Sequence, residues 1–254
     1  MVFENSPHSE TDLLADALVR AHLTGTGLDA PSLPVPPSPA GAMQVQALVQ
    51  QRLARPIGGW KVAIGPQQLP VAAPLLAVYP DDAAIGLSSK FTVEVELAVF
   101  LRNDFPRRKA GSYVRSDVLE AIDRVVLGIE VIGGRFENPA DVPFLSFLAD
   151  NLGNRAYVVG DSVPLAALND IDGLDCDVTL DGRALYRAPA SHPAKDPLLP
   201  LLAYANAQSD DLGGLKAGQV VTTGSLCGVL PIETAGLLEA RVSQVGQVRV
   251  RFSD

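Results

Sequence analysis

The segment FTVEVELAVF, from Phe91 to Phe100, contains two acidic residues in an otherwise apolar run. Its β-branched and aromatic residues predict a strand, in which successive side chains point to opposite faces of a sheet. Glu94 and Glu96 are two positions apart, so both carboxylates lie on the same face and close together. That face is therefore either solvated or supplied with positive charge.

A third acid stands in a second apolar segment, VVLGIEVIG at residues 125–133. Glu130 is the only charged residue between Arg124 and Arg135, and a strand this apolar is usually covered on both faces. Burial of an unpaired carboxylate is unfavourable by several kcal/mol. Glu130 therefore requires a cation, which is either a lysine or arginine side chain or a divalent metal ion.

Three carboxylates at one point would repel each other and raise each other's pKa values. A divalent cation removes that repulsion, and an all-oxygen ligand set favours Mg²⁺ or Mn²⁺ over zinc. We therefore interpret Glu94, Glu96 and Glu130 as a candidate metal site. The alternative for Glu94 and Glu96 is a solvated face, or charges that protect an edge strand from pairing.

Lys61 and the three histidines are the remaining candidates for site chemistry. Lys61 stands in the apolar segment GWKVAIG at 59–65. It is either a lysine that extends from a strand end into solvent or a partly desolvated amine that binds an anionic substrate or relays a proton. His8, His22 and His192 are scattered and match no metal-ligand spacing, so we expect structural or surface residues.

The order of the predicted elements favours an α+β fold. Two helices and a proline-rich connector occupy residues 1–58, and period-two alternation begins at Gly59. Regular strand–helix alternation is missing, which argues against a doubly wound sheet. We therefore expect a mixed sheet curled into a roll or β-sandwich over residues 59–254, with helices packed outside and the two segments forming one compact unit.

Individual elements follow from local patterns. Ser9 begins a capping-box sequence that predicts the start of a helix. A short helix is also predicted at 117–124, immediately before the second acidic strand. Asp181-Gly182 predicts a tight hairpin turn, and a C-terminal strand pair is predicted about Gly246.

The composition argues against several classes of function. The 254 residues carry a formal net charge of −9, which disfavours a nucleic-acid partner because phosphate binding needs clustered basic residues. No apolar run reaches the roughly 18 residues that a membrane span needs, and the first residues lack the pattern of a signal peptide. Cys176 and Cys227 are too few and too widely spaced for a disulfide framework. We expect a cytoplasmic protein with no membrane or nucleic-acid partner.

Several segments of the chain resemble one enzyme family: GWKVAIG, VEVELAVFL, LGIEVIGGRF, DNLGNRAYVVG and VVTTGS. Together they are similar to the 2-keto-4-pentenoate hydratase / 4-oxalocrotonate decarboxylase family, which belongs to the fumarylacetoacetate hydrolase-like superfamily. The resemblance covers roughly residues 10–252. A glutamate rather than an aspartate at the third acidic position favours the hydratase and decarboxylase branch over the hydrolase branch.

The resemblance implies a β-sandwich roll with outer helices and an active site that holds Mg²⁺ or Mn²⁺. It assigns the metal to Glu94, Glu96 and Glu130, and it gives Lys61 a catalytic position beside the substrate. It further implies these substrate-binding residues: Arg135, Asn154, Thr223 and Ser225. The implied substrates are small 2-oxo or 2-hydroxy-dienoic acids from aromatic compound catabolism. The implied assembly is a homo-oligomer and, as in some members, a complex with another enzyme of the pathway.

Three functions remain open at this point. The favoured one is a metal-dependent lyase that hydrates a 2-hydroxy-2,4-dienoate to a 4-hydroxy-2-oxo acid. The second is decarboxylation of a 2-oxo-enedioate, whose additional carboxylate would need a cation such as Arg135 or Arg155. The third is a catalytically weak homologue that serves as a binding or assembly partner.

Three departures from the family pattern motivate this third function. A Gly-Gly pair at 133–134 stands where Asp-Ser is usual, and Asn154 stands where a small or hydroxyl residue is usual. An Asp-Asp-Met segment of the family has no clear match, since Asp81-Asp82 is displaced toward the next strand.

Overall fold

The computed structural model describes residues 9–86, 91–108 and 112–253. The helices are α1 (Glu10–Thr24), α2 (Pro39–Leu53), α3 (Arg115–Glu120), α4 (Phe144–Ala149), α5 (Ala167–Asp170) and α6 (Leu199–Ala207). The strands are β1 (Gly59–Ile64), β2 (Pro70–Leu75), β3 (Val78–Pro80), β4 (Ala83–Gly86), β5 (Phe91–Leu101), β6 (Ile122–Ile132), β7 (Asn154–Val163), β8 (Asp175–Leu180), β9 (Arg183–Pro189), β10 (Val220–Ser225), β11 (Leu230–Ile232), β12 (Gly236–Val242) and β13 (Gly246–Ser253). Over these described ranges, no helix is long and apolar enough to cross a membrane.

The strands form two sheets. The larger one has eight strands in the order β2-β1-β10-β5-β6-β7-β3, with β11 paired to the end of β5. The smaller one has five strands in the order β4-β13-β12-β8-β9. The central strands β5 and β6 are 11 residues long, because their β-branched and apolar residues continue without a break. Parallel and antiparallel pairs coexist, so the predicted α+β fold with a mixed sheet is confirmed.

The sheets pack face to face, and alternation places the apolar half of β5 between them. The odd-numbered residues from Val93 to Val99 are at most 1% exposed and belong to the main core, together with Val250 of β13. Strand β13 packs against β6 and β7 of the larger sheet. The opposite face of β5, which carries Glu94 and Glu96, points away from this core.

Helices α1, α2 and α4 cover the outer face of the larger sheet near β2. Their apolar residues form a second buried cluster with Val71 and Ala73 of β2. Gln46 of α2 is fully buried, and its Nε2 donates hydrogen bonds to Leu148 O at 2.6 Å and to Ala72 O at 3.2 Å. This side chain therefore ties α2 to both α4 and β2, which holds the helices outside the sheet as expected.

The predicted helix start and strand pairs are confirmed. Ser9 caps α1, since its Oγ accepts a hydrogen bond from Asp12 N. Between β8 and β9, Asp181 and Gly182 adopt left-handed φ angles of 48° and 78°, as a tight hairpin turn requires. The C-terminal pair of β12 with β13 also forms, and Gly246 begins its second strand.

Other elements differ from the sequence prediction. The helix expected at 117–124 is wrong in its second half, because α3 ends at Glu120 and Ile122 already pairs with Leu101 in a β-ladder. Strands β2, β3 and β4 and helix α4 were not predicted. Strand β2 contains two prolines and lies at the edge of the larger sheet, where a missing backbone N–H is tolerated.

The parallel pairing of β1 with β10 predicts a stability effect at Gly59. An added Cβ on Gly59 would overlap the carbonyl oxygen of its partner Val220. We expect Gly59→Ala to push the strands apart and lower the free energy of unfolding by about 1–3 kcal/mol, as overpacking does. At Gly86, no described atom lies within 4 Å of an added Cβ, so Gly86→Ala is the control. Denaturant unfolding checks this, and equal losses in both variants would contradict it.

Candidate metal centre

The three acids predicted to form a metal site lie side by side on the outer face of the larger sheet. Glu94 of β5 is paired directly with Glu130 of β6, and Glu96 lies two positions further along β5. One carboxylate oxygen from each residue lies within 4.8 Å of the others. The antiparallel register of β5 and β6 therefore brings together acids from separate parts of the chain.

The acids differ in their exposure to solvent. Glu96 and Glu130 are 0% exposed, whereas the Glu94 side chain is 14% exposed. Neither carboxylate oxygen of Glu96 makes a hydrogen bond of regular geometry among the described residues, and the nearby Thr222 hydroxyl offsets only a small part of the effect of burial. Because a buried carboxylate without a partner is strongly unfavourable, Glu96 indicates that a cation belongs here.

Lys61 supplies part of the positive charge. Its side chain reaches from β1 across the sheet, and Nζ lies 2.7 Å from Glu130 Oε2 and 3.5 Å from Glu94 Oε2. Burial alone would lower the pKa of Lys61, but the attraction of Glu130, Glu94 and Glu96 outweighs burial and raises this pKa above its ordinary value. Lys61 is therefore an ammonium ion in this arrangement.

One ammonium does not balance three carboxylates. Burial raises the pKa of Glu94, although Lys61 opposes the rise. Burial and the repulsion of Glu130 and Glu94 raise the pKa of Glu96 well above its ordinary value. When all three carboxylates are ionised, one ammonium leaves two negative charges uncompensated, which is the charge that a divalent cation would balance.

The donor set fits a hard divalent cation. All three side chains offer carboxylate oxygens, which suit Mg²⁺ or Mn²⁺ better than zinc. His22 and His192 are not members of this cluster, and His8 lies outside the described residues. The acids can therefore hold a divalent metal ion without help from imidazole.

Asn154 forms a hydrogen bond with one of the three acids. The residue is buried, and its Nδ2 donates a hydrogen bond to Glu130 Oε1 at 2.8 Å. The resemblance placed Asn154 among the substrate-binding residues, whereas its amide contacts a candidate metal ligand. A hydrogen bond of this kind orients the carboxylate that receives it.

Tyr157 of β7 is a residue of the site that the sequence prediction missed. It is fully buried and is paired with Glu130 across the ladder between β6 and β7. Its ring leans over Gly128, where an added Cβ would overlap the phenol oxygen. A glycine inside a strand often marks a close approach of this kind, so Gly128 within VVLGIEVIG is the sequence signal that could have indicated it.

A cavity of about 710 Å³ opens over Lys61, Glu94 and Glu96. Thr223 and Ser225, both predicted to bind substrate, line this same cavity. Their hydroxyl groups can donate and accept hydrogen bonds. The volume lies within the range of small-molecule sites, so a small acid can be held directly above the carboxylates.

His192 lies behind the wall of this cavity. It is fully buried, its Nδ1 accepts a hydrogen bond from Ala194 N, and its Nε2 lies 3.5 Å from Thr223 Oγ1. Burial lowers the pKa of His192, although Asp172 and Asp196 oppose this effect. The ring therefore supports Thr223 from inside the protein, a contact that no local sequence pattern indicates.

Arg135 lines a different cavity from Lys61 and is held in a buried ion pair. Its Nε lies 2.6 Å from Asp150 Oδ1, and its guanidinium donates a hydrogen bond to Asn154 O at 2.8 Å. Both charged side chains are at most 3% exposed. The resemblance placed Arg135 among the substrate contacts, whereas the structure uses its charge to join the segment after β6 to the end of α4.

The second cavity, of about 940 Å³, adjoins the ends of β5 and β6. Thr92 and Ile132 in its wall pair with each other one step beyond the acidic pair, on the same face. Arg135 and Arg155 also line it. An added Cβ on Gly133 would lie 3.0 Å from Arg155 Cδ, so the Arg155 side chain covers the position where the family usually has aspartate.

Asp81 and Asp82 lie away from the acidic cluster, in the turn between β3 and β4. Asp81 Oδ2 is 2.8 Å from Arg249 Nη2, and Asp82 Oδ1 is 3.0 Å from Arg251 Nε. Both arginines belong to β13 of the smaller sheet. The Asp-Asp pair therefore fastens this turn to the smaller sheet.

Comparison with known sequences identifies several relatives. Residues 54–253 match the family described as fumarylacetoacetate (FAA) hydrolase C-terminal. The chain is 31% identical over 180 residues to the 2-keto-4-pentenoate hydratase of Burkholderia vietnamiensis, a match that covers 69% of this chain and 66% of the relative, just under two thirds of its length. It is 28% identical over 233 residues to the 2-keto-4-pentenoate hydratase of Paraburkholderia xenovorans, covering 83% and 82%.

Solved structures share the fold. The 4-oxalocrotonate decarboxylase from Pseudomonas putida, complexed with magnesium and adipate, superposes with a TM-score of 0.78 at 21% identity, covering 94% of this chain and 96% of that chain. The fumarylpyruvate hydrolase from Pseudomonas aeruginosa, in complex with Mn²⁺ and pyruvate, gives a TM-score of 0.52 at 15% identity, covering 76% and 88%. The sandwich with outer helices is therefore a known architecture.

Because the Glu96 carboxylate is unpaired, we expect Glu96→Gln to stabilise the metal-free protein and to reduce the stabilisation that a bound metal ion gives. In EDTA, Glu96→Gln should raise the melting temperature, because it replaces a buried charge with a neutral amide of the same shape. Mn²⁺ at a hundredfold excess over its Kd should stabilise the parent by about 2.7 kcal/mol and the variant by much less. Glu239→Gln on β12, an exposed glutamate, is the control. Equal stabilisation of all three proteins in a thermal shift titration would contradict the site.

The buried pair of Arg135 with Asp150 predicts a large loss on removal of one partner. Asp150→Asn should lower the free energy of unfolding by about 3–5 kcal/mol, because it leaves the guanidinium buried without its counter-ion. The control is Asp82→Asn, which breaks an exposed pair with Arg251 and should cost at most about 1 kcal/mol. Denaturant unfolding compares the two, and a loss at Asp150 no larger than at Asp82 would refute the role of this pair.

Proposed function

The chain belongs to the fumarylacetoacetate hydrolase family, and we propose that it is a metal-dependent lyase that hydrates a 2-hydroxy-2,4-dienoate to a 4-hydroxy-2-oxo acid. The observation that carries the proposal is the convergence of Glu94, Glu96 and Glu130 on Lys61 under a cavity of small-molecule size. Relatives named 2-keto-4-pentenoate hydratase, at 31% and 28% identity, support this reaction class.

We propose Mg²⁺ or Mn²⁺ as the cofactor, held by Glu94, Glu96 and Glu130. The all-oxygen donor set and the two uncompensated negative charges support a hard dication. When bound, such a cation supplies Lewis-acid polarisation of the oxygen atoms of a 2-oxo acid. Asn154 holds Glu130 in place through its 2.8 Å hydrogen bond, so one ligand is oriented before any cation arrives.

Lys61 is the group of this chain that we assign to proton transfer. Among the described residues that line the cavity, it is the one titratable side chain besides the acids. Hydration removes the enol proton as a proton enters at C5, and water then adds its oxygen at C4 and a proton at C3. The Lys61 ammonium holds the substrate carboxylate by charge attraction, delivers a proton from Nζ to C5 and takes up the enol proton in return.

Thr223 and Ser225 are the proposed hydrogen-bond contacts of the substrate. Both line the cavity above the acids, and both carry hydroxyl groups that can reach a carboxylate or a reacting oxygen. His192 lies behind Thr223. The wall that carries these hydroxyls is therefore backed by buried structure, which favours a fixed substrate orientation.

A second candidate function, decarboxylation of a 2-oxo-enedioate, is favoured by the second cavity. Arg135 and Arg155 lie in its wall together with Thr92 and Ile132, the pair one step along β5 and β6 from the acids, and Asp150 is the ion-pair partner of Arg135. The far carboxylate of a dicarboxylic substrate would meet Arg155 there. A relative named 4-oxalocrotonate decarboxylase, from Pseudomonas putida and 25% identical over 175 residues, adds support.

The ligand is proposed to be a small 2-oxo or 2-hydroxy-dienoic acid of aromatic compound catabolism. The homo-oligomer, the complex with another pathway enzyme and the cytoplasmic location stay predictions. Size-exclusion chromatography with light scattering measures the oligomeric state directly.

Metal removal and reloading test the proposed activity. We expect the EDTA-treated protein to leave 2-hydroxypenta-2,4-dienoate unchanged, and the protein reloaded with Mg²⁺ or Mn²⁺ to consume its dienol absorbance. Glu130→Gln should abolish turnover because a charged ligand is lost, whereas Glu239→Gln should retain it. Release of carbon dioxide from a 2-oxo-enedioate, without hydration of the monoacid, would favour the decarboxylase. No turnover of either substrate class by the reloaded protein would refute both enzymes and favour a binding or assembly role.

A further inference from the structure

The hydroxyl group of Tyr157 is a buried donor that the proposed reaction does not use. The residue is fully buried, and its oxygen has no hydrogen-bond partner in the part of the chain that the structure describes. Nearly all buried hydroxyls in proteins are hydrogen-bonded, and an exception calls for a physical explanation. The neighbours of this oxygen provide one.

The position of the ring is set by its packing. Tyr157 belongs to an apolar cluster on the outer face of the larger sheet, with Ala98 and Val126 among its members. Gly128 lacks the side chain that would overlap the phenol oxygen. The ring is therefore held across β6 by its surroundings, and the hydroxyl cannot turn away to solvent.

The hydroxyl lies close to Glu96. Gly128, over which the phenol lies, is the direct partner of Glu96 in the ladder between β5 and β6. Side chains at directly opposed positions have Cβ atoms about 5 Å apart, so an oxygen at the Cβ position of Gly128 lies beside the Glu96 side chain. Neither oxygen of Glu96 makes a hydrogen bond of regular geometry with a described residue. The buried hydroxyl of Thr222 lies near this carboxylate on the β10 side, and the phenol of Tyr157 is the unused donor on the β6 side.

The other acids already have partners of their own. Glu130 accepts a hydrogen bond from Asn154 and lies 2.7 Å from Lys61 Nζ, which also lies 3.5 Å from Glu94. The ordinary pKa of a tyrosine phenol is about 10. The phenol therefore stays protonated and can only help a carboxylate by donating to it.

We propose that Tyr157 is a positioning residue of the metal centre, whose phenol O–H would donate a hydrogen bond to the Glu96 carboxylate when a divalent cation is bound and so fix this ligand in place. The inference rests on the proposed metal function of Glu96. Tyr157 is not among the residues that line the cavity over Lys61, so it acts through Glu96 and does not touch substrate. Asn154 orients Glu130 in the same way, so two of the three acids would each accept a hydrogen bond from a neutral donor.

Tyr157→Phe tests the hydrogen bond with little change in shape. We expect calorimetric titration of the metal-free protein with Mn²⁺ to give a Kd about 10 to 100 times weaker in this variant, the usual effect of losing a ligand's outer partner. In EDTA its melting temperature should equal or exceed that of the parent, because the lost hydroxyl has no partner there. In the Glu96→Gln background, Tyr157→Phe should leave the Kd for Mn²⁺ unchanged, since the charged acceptor is gone.

Tyr204→Phe is the matched control. Tyr204 is also fully buried, but its hydroxyl donates to Asp210 Oδ2 at 2.8 Å. This variant should bind Mn²⁺ with the parent's Kd and have a lower melting temperature in EDTA. A purely structural role of Tyr157 would produce this second pattern instead of the first.

The results separate the inference from the function on which it rests. Parent affinity for Mn²⁺ in Tyr157→Phe would overturn the role of Tyr157 and leave the metal centre intact. Failure of the parent itself to bind Mn²⁺ would overturn the metal centre and the inference with it. Gly128→Ala is a second variant, because its methyl group would displace the phenol while all three acids remain; it should also weaken Mn²⁺ binding, and unchanged binding would count against the inference.

Discussion

The register between β5 and β6 is the constraint on which the rest of the structure depends. It places Glu94 directly opposite Glu130, with Glu96 one step away on the same face. The other face of β5 is occupied by buried valines and a leucine between the two sheets. A slip by one residue would exchange the two faces of β5. Burial of the apolar residues on one face therefore fixes the acidic residues on the other face, next to Glu130.

Groups on neighbouring strands offset part of the repulsion among the three carboxylates. Lys61 comes from β1, which is separated from β5 by β10, and its ammonium contacts two of the three carboxylates. Asn154 and Tyr157 come from β7 on the other side of β6. Donors therefore approach the acids from both flanks, and the cavity above remains available for a cation and a small anionic ligand.

The departures from the family pattern have structural explanations. Arg155 covers Gly133, Asn154 holds Glu130, and Asp81-Asp82 pairs with arginines of the smaller sheet. None of these changes removes a member of the acidic cluster. They alter the second cavity and the supports of the site, which are the places where related enzymes of one fold can differ in substrate while they keep the same metal chemistry.

The sequence by itself determined the two acidic strands and placed Glu94 and Glu96 on one face, because alternation with a period of two is a local property of a strand. The position of Glu130 opposite them depends on the register between β5 and β6. The sequence also indicated the family, and with it Lys61. Only the tertiary structure decided that Arg135 is committed to Asp150 and that Tyr157 lies over its glycine. These contacts depend on which strands become neighbours and in which register, and that choice is made by the packing of the whole chain rather than by any local pattern.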